Sequence, residues 1–277
     1  MKLLIATDFS EGSDHAGRYA IQLAAQIGAT LSFIHAYKLG RGKSKLIPDE
    51  IHDSLEREGE FTAQKHFLKY LKHLRADLNE VVSIHPVLKE GKAEDAISEY
   101  ADYSDVDLII MGSGNTQSFK KKMLGNTATA ILKKAPCPIL IIPPDAEWKP
   151  ISHLVYGTSF QEEDTRVPCK VEQLAMEADA HVSCVYVKTE DDVHGKIKGS
   201  KLERIFRLQE DPSNRIFFYT LINRNVLNGI REFSNMYKAD LISLLLPRKA
   251  SYKHWINGSL ARSLIFRTEV PLLVAVQ

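Results

Sequence analysis

The chain has 277 residues, long for one ordinary domain and comfortable for two. At 44% hydrophobic and 26% charged it reads as globular rather than disordered, and 36 Lys and Arg against 35 Asp and Glu leave a net charge of +1, which removes any global electrostatic case for nucleic acid. No run approaches the ~20 apolar residues of a membrane span, and the opening Met1–Ala6 run is too short for a secretory leader before Asp8. Cys137, Cys169 and Cys184 show no CxxC or Cys/His spacing. They fit structural thiols in a reducing cytoplasm, so the expectation is a cytoplasmic protein with no metal site.

In chain order, Leu3 to Thr7 is an apolar run ending at Asp8 and predicts a buried strand. Ser10 or Ser13 can cap the following helix, whose apolar face includes Tyr19, Ala20, Leu23, Ala24 and Ile27, and Gly28 stops it. Thr30 to Ala36 predicts a second strand, and Tyr37 to Pro48 a basic, glycine-containing loop. Asp49 to Leu74 predicts a long amphipathic helix with Phe61, Phe67, Leu68 and Leu71 among its apolar positions. Val81 to Leu88 reads as strand three, Ala93 to Tyr103 as a helix, Val106 to Met111 as strand four, Gly125 to Lys134 as a helix and Cys137 to Ile142 as strand five. Strands alternating with helices at this spacing predict right-handed βαβ units on a parallel sheet.

Pro143, Pro144, Trp148 and Pro150 then break the periodicity as a linker would, and the pattern begins again. TDFSE at Thr7–Glu11 matches TSFQE at Thr158–Glu162, and Leu23–Ala36 matches Leu174–Val187, both at an offset of 151 (158 − 7, 174 − 23). Ala239–Ile242 matches Val106–Ile109, and Asn257–Ala261 matches Leu124–Ala128, at 133 (239 − 106, 257 − 124). One shift held over separated blocks predicts an internal duplication. The second copy is shorter by about 18 residues (151 − 133), lost between its second and third strands, where insertions and deletions are best tolerated.

The stretch Asp107–Asn115 delivers a buried strand into a glycine-containing turn. Nine polar, lysine-rich residues follow (Thr116–Leu124), and Gly125 opens a helix. Small residues admit a ligand to the backbone, and a helix start offers unpaired N–H groups to an anion. A five-stranded α/β unit whose first strand ends TDFS and which finishes MGSG…LGNTATAILKKAPCPILIIP resembles the universal stress protein family. The resemblance covers two tandem copies, 1–146 and 149–277, and implies two five-stranded, Rossmann-like, adenine-nucleotide α-hydrolase-like domains paired through their last strands, Ile139–Ile142 and Leu272–Val276, as a pseudo-dimer.

In nucleotide-binding members the late motif is G-x2-G-x9-G-[S/T]. It falls here on Gly112, Asn115, Gly125 and Asn126, with the spacing of nine kept but asparagine at the second and fourth positions. Asn tolerates positive φ better than other non-glycine residues, and Asn126 keeps an N-cap preference with the Thr127 hydroxyl one position on. The resemblance further implies that Asp8 contacts the sugar or base of ATP or another adenine nucleotide, carried with Mg²⁺, and that a backbone group at Ala36 meets the adenine. The residues alone leave Asp8 equally open to capping the first helix, Gly112 and Gly125 to serving only their turns, and Lys120, Lys121 and Lys122 to being a solvated face.

The second copy is further from the motif. Leu245 and Arg248 replace the early glycines and Ser159 replaces Asp8, although Gly258-Ser259 is retained. There is no P-loop, HExxH or GxSxG, and His35 aligns with Tyr186, which favours packing over ligation. The expectation is a non-enzymatic binding or regulatory protein, taking nucleotide in the first copy only and also able to form a homodimer. A pure interaction protein of the same fold is the alternative, and a nucleotide hydrolase ranks below both.

Overall fold

The computed structural model describes residues 1–37, 49–76, 82–113, 126–158, 167–189, 215–246 and 269–276. The first half runs β1 (Lys2–Ala6), α1 (Glu11–Ile27), β2 (Thr30–Tyr37), α2 (Asp49–Ala76), β3 (Ile84–Glu90), α3 (Ala93–Tyr103), β4 (Leu108–Gly112), α4 (Asn126–Lys134) and β5 (Ile139–Ile142). The second runs β6 (His153–Thr158), α5 (Val167–Ala178), β7 (His181–Lys188), β8 (Ile216–Ile222), α6 (Val226–Met236), β9 (Leu241–Leu246) and β10 (Leu272–Val276). All ten strands form one sheet in the order β3-β2-β1-β4-β5-β10-β9-β6-β7-β8.

Within each half the pairing is parallel, and the register repeats. Lys2 pairs with Thr30 and His153 with His181, a shift of 151 on both sides (153 − 2, 181 − 30). Ile109 pairs with Ile139 and Ile242 with Leu272, a shift of 133 (242 − 109, 272 − 139). A side-chain detail repeats with them: Asp107 accepts from the Lys2 N–H at 2.9 Å, and Asp240 from the His153 N–H at 3.0 Å. The offsets seen in the sequence are therefore the register of the sheet.

The halves meet where β5 runs antiparallel to β10, Leu272 opposite Ile141 and Val274 opposite Ile139. Ile139–Ile142 and Leu272–Ala275 are all buried. Strands covered on both faces read as continuous apolar runs, which is why these two segments lack any polar alternation. Leu3 and Ile5 face one core layer with α1, α2 and α5. Leu4, between them, faces the other layer with α3, α4 and α6. Across the seam Gln26 donates from Nε2 to the carbonyls of Ile151 (2.9 Å) and Ala178 (3.1 Å), and accepts the Ile151 N–H at 2.9 Å. Tyr19 stacks edge-on to Trp148 at 4.7 Å, anchoring the connecting segment to α1.

Local sequence signals account for most of the boundaries. Ser10 caps α1, accepting from the Ser13 N–H, and Gly28 ends it at φ 62°, a left-handed position that glycine reaches without a Cβ penalty. Several expectations shift, strand one among them, which runs Lys2–Ala6. Strand three is Ile84–Glu90, and strands four and five begin at Leu108 and Ile139, because Val106 and Cys137 belong to the turns entering them. On α2, Phe67 and Leu71 are buried but Phe61 and Leu68 are exposed, so the helix buries a narrower stripe than its apolar content implied. The expected 37–48 loop lies, after Tyr37, outside the described residues. Among the described residues no helix is long and apolar enough to cross a membrane.

Replacing Gln26 with Leu keeps the side-chain volume but strands the Ile151 N–H and two carbonyls. Thermal unfolding should show a loss of about 1–3 kcal/mol. An unchanged melting temperature would mean that these bonds do not hold the halves together.

Candidate functional site

A cleft of about 370 Å³ opens at the carboxyl edge of the first half, between the ends of β1, β2 and β4 and the starts of α1, α3 and α4. It forms where β1 and β4 send their chains to opposite faces of the sheet, the position at which open α/β sheets take ligands. Asp8, Ala36, Gly112 and Thr127 all line it. Asn126 begins α4 but its side chain, with Asn115 and Gly125, lies outside the described placements.

The floor and one wall come from residues the motif did not flag. Ala6, Ala93, Ile97, Met111, Ala128 and Ile131 make them apolar, while Thr7, Ser10 and Ser13 bring hydroxyls. These hydroxyls form a directed chain that shapes the turn from β1 into α1. The Phe9 N–H donates to Thr7 Oγ1 (3.1 Å), Thr7 Oγ1 meets Ser13 Oγ (3.0 Å), and Ser13 Oγ donates to the Ser10 carbonyl (2.9 Å). Their signal was present in the run TDFSEGS, whose density of short hydroxyl side chains exceeds what one helix cap needs.

Asp8 does not cap α1, since Ser10 does. Its Oδ1 instead accepts the Ser10 N–H at 3.0 Å in a local turn, which fixes the carboxylate at the mouth of the cleft. Partial desolvation raises its pKa, but the Ser10 hydroxyl and N–H and the Ser13 hydroxyl outweigh that and hold it below the ordinary carboxylate range. It is therefore an acceptor-only anion at neutral pH, suited to hydroxyl or N–H donors and unsuited to phosphate. The N-terminus of α4 supplies the opposite chemistry. Thr127 sits in its first turn, which holds no acidic residue. The cleft thus pairs an acceptor at one end with an anion-favouring helix start at the other, joined by an apolar floor. Among the described residues no group of three His, Cys, Asp or Glu side chains is placed to hold a metal ion.

Gly112 is required for a reason beyond ligand approach. A Cβ there would lie 2.5 Å from the Gly12 carbonyl oxygen, so the end of β4 touches the first turn of α1 backbone to backbone. Cys184 is buried and its thiol is pushed up to about 12 by desolvation, in keeping with a structural role.

Among the described residues, the corresponding region of the second half is packed more closely. At the positions of Ala6, Ala36 and Ala96 stand Gly157, Val187 and Gly229. A Cβ on Gly157 would meet Ile230 Cδ1 and Leu244 Cδ2 at 2.7 Å, and one on Gly229 would meet Val187 Cγ1 at 2.8 Å. Glycines on β6 and α6 let α6 settle onto the sheet, with Val187, Ile230 and Leu244 packed where the first half keeps its cleft. Leu245, in place of the first motif glycine, continues β9.

The universal stress protein family model matches residues 1–143. A universal stress protein of Methanocaldococcus jannaschii is 29% identical over 146 residues, covering 51% of this chain and 81% of that protein. Universal stress protein A homolog 2 of Coxiella burnetii is 30% identical over 146 residues, covering 51% and 93%. Among solved structures, a universal stress protein from Archaeoglobus fulgidus covers 99% of this chain and 98% of that one, with a TM-score of 0.73 at 15% identity, a likeness of fold.

Two outcomes are expected. Gly112→Ala should cost about 1–3 kcal/mol in denaturant unfolding, because the new methyl meets backbone that cannot swing aside. Because the folded-state pKa of Asp8 is lowered, its contribution to stability is present above the ordinary aspartate pKa of 3.8 and is lost as pH falls from there through the lower folded-state value. Asp8→Asn should therefore flatten the acid limb of the stability–pH curve there, and identical acid limbs would show that the Ser10 contacts are absent in solution.

Proposed function

The chain belongs to the universal stress protein family, and from that membership we propose that its first half is an adenine-nucleotide binding module and its second half a non-binding scaffold. The observation that carries the reading is the meeting of Asp8, Ala36, Gly112 and Thr127 around one cleft whose electrostatics run from acceptor to anion-favouring helix start. In this reading Asp8 accepts from the ribose hydroxyls, the Ala36 backbone meets the adenine edge, and the start of α4, with Asn126 and Thr127, receives phosphate oxygens. Asn115 and Gly125 complete the phosphate loop, and Mg²⁺ enters with the phosphates. The tandem units are 1–146 and 149–277.

The reading is of a cytoplasmic stress-response protein that binds and regulates rather than catalyses. Among the described residues lining the cleft there is no nucleophile–base pair, and Asp8 is held in the ionised form. A homodimer is compatible with it. The competing reading, an interaction protein of the same fold without nucleotide, draws its support from Asn115 and Asn126 at two of the four motif positions.

Calorimetric titration with ATP and Mg²⁺ separates the two. Binding in the micromolar range, at one site per chain, supports the module. Asp8→Ala should then weaken it by about ten- to a hundredfold, as expected on removing a charged hydrogen-bond acceptor. No heat up to millimolar ATP favours the interaction protein, and two sites per chain would contradict a non-binding second half.

A further inference from the structure

His35 lies beside the cleft without lining it, and its ring does something that no backbone group does. Its Nδ1 approaches the Thr7 carbonyl at 2.9 Å, so that nitrogen carries the hydrogen and donates. The Thr7 N–H donates to Ile34 O at 3.0 Å, and the Gly91 N–H donates to Tyr37 O at 2.9 Å. Even-numbered residues at this end of β2 therefore turn their backbone groups towards β1, and odd-numbered ones towards β3. The next rung of a parallel β1–β2 ladder would run from the Ala36 N–H to the Thr7 carbonyl. It is not made: the ladder ends at Ala6–Ile34, and the Thr7 carbonyl is taken by the histidine.

The second half is an internal control. There Tyr186 stands at the position of His35, and the ladder continues one rung further, pairing Thr158 with Tyr186. That rung takes up the N–H of Val187, the counterpart of Ala36, and Val187 is buried. Where the side chain has no ring N–H to offer, the strands zip on by one rung. In the first half the ring is also held in place. Phe9 stacks on it at a centroid distance of 4.1 Å, packs edge-on to Tyr70 at 5.0 Å, and sits at φ 61°, a left-handed conformation costly for a bulky residue. The strain at Phe9 is where the chain leaves β1, immediately after Asp8.

We propose that His35 is a positioning residue for the ligand: by occupying the Thr7 carbonyl it stops the β1–β2 ladder one rung early and leaves the N–H and C=O of Ala36 as an unpaired donor and acceptor facing the cleft. A flat heterocycle edge with an acceptor next to a donor is the chemistry this pair takes. The inference rests on the nucleotide reading for the identity of the ligand, but the open rung is a property of the protein alone.

The test is amide hydrogen exchange by NMR on the full chain without nucleotide, followed by ATP titration, for wild type, His35→Phe and His35→Asn. Phe keeps a ring against Phe9 and removes the donor, whereas Asn keeps a donor near the place of Nδ1 and removes the ring. The Ala36 amide should exchange fast in wild type. It should slow by roughly tenfold in His35→Phe as it closes onto Thr7, and be fast again in His35→Asn. ATP affinity should fall about five- to tenfold in His35→Phe and recover in His35→Asn, with neighbouring β2 amides unchanged throughout. A slowly exchanging Ala36 amide in wild type, protected like Ile34, overturns the proposal with no variant needed. So does a His35→Phe protein whose Ala36 exchange is unaltered. Absence of ATP binding in all three proteins overturns the nucleotide reading, and the exchange result still decides the role of His35.

Discussion

The antiparallel contact between β5 and β10 is the constraint on which the rest of the molecule depends. Each half is a parallel sheet with a bare apolar edge strand, and neither edge tolerates water. Fully burying aliphatic side chains stabilises by about 1.5–3 kcal/mol each, and the two strands contribute eight buried residues between Ile139 and Ala275. Joining the edges antiparallel buries both at once. It also reverses one half relative to the other, so the carboxyl edge of the first parallel set lies on the same side as the amino edge of the second. The start of the second half therefore lies on the same side of the sheet as the first half's carboxyl edge, and Trp148 of the connecting segment packs against Tyr19. Change in one binding edge is thus uncoupled from packing at the other.

That uncoupling explains how two copies with matching registers carry such different carboxyl edges. The differences are small in volume and consistent in direction. Ala36 becomes Val187, adding bulk on the strand, while Ala6 and Ala96 become Gly157 and Gly229, removing bulk where α6 must approach. Two carbons added at one position and one removed at each of two others go with close packing of Val187, Ile230 and Leu244 in the second half. Interiors are dense enough that changes of this size decide the outcome.

Much of the architecture was legible in the sequence because periodicity and internal repetition report backbone geometry directly. The offsets of 151 and 133 are visible in unaligned text and reappear as strand register. The cleft was legible in part. Asp8, Ala36, Gly112 and Thr127 converge on it, yet its hydroxyl chain and apolar floor were not foreseen, because Thr7, Ser13 and Ile97 acquire their places only when three elements meet. Phe61 and Leu68 were read among the apolar positions of an amphipathic helix, but α2 buries Phe67 and Leu71 and leaves those two in solvent. For Gly112 a turn or a ligand was the sequence-level reason, whereas the decisive contact is with Gly12, a hundred residues away in the chain. The role of His35 was the least legible. Alignment with Tyr186 said only that an aromatic fits there, and packing against Phe9 agrees with that. The difference between the two rings, one N–H, becomes visible only where the ladder stops.

An open rung is costly by itself. A strand that ends early forgoes a backbone hydrogen bond, and a bulky residue held at φ 61° adds conformational strain of about 1–3 kcal/mol. Both costs fall in the first half, beside Asp8, and the second half shows that the same topology folds with the rung closed. Strain and unmade bonds persist where the surroundings over-determine them. Here the surroundings are the stack of Phe9 on His35, the edge contact with Tyr70, and the Thr7–Ser13 hydroxyl chain, all within one turn of the cleft. The packed second half, fused through β5 and β10, offsets the instability that an open edge imposes on the first. On the proposed reading the duplication is a division of labour: one copy leaves a rung open to a ligand, and the other closes the matching rung.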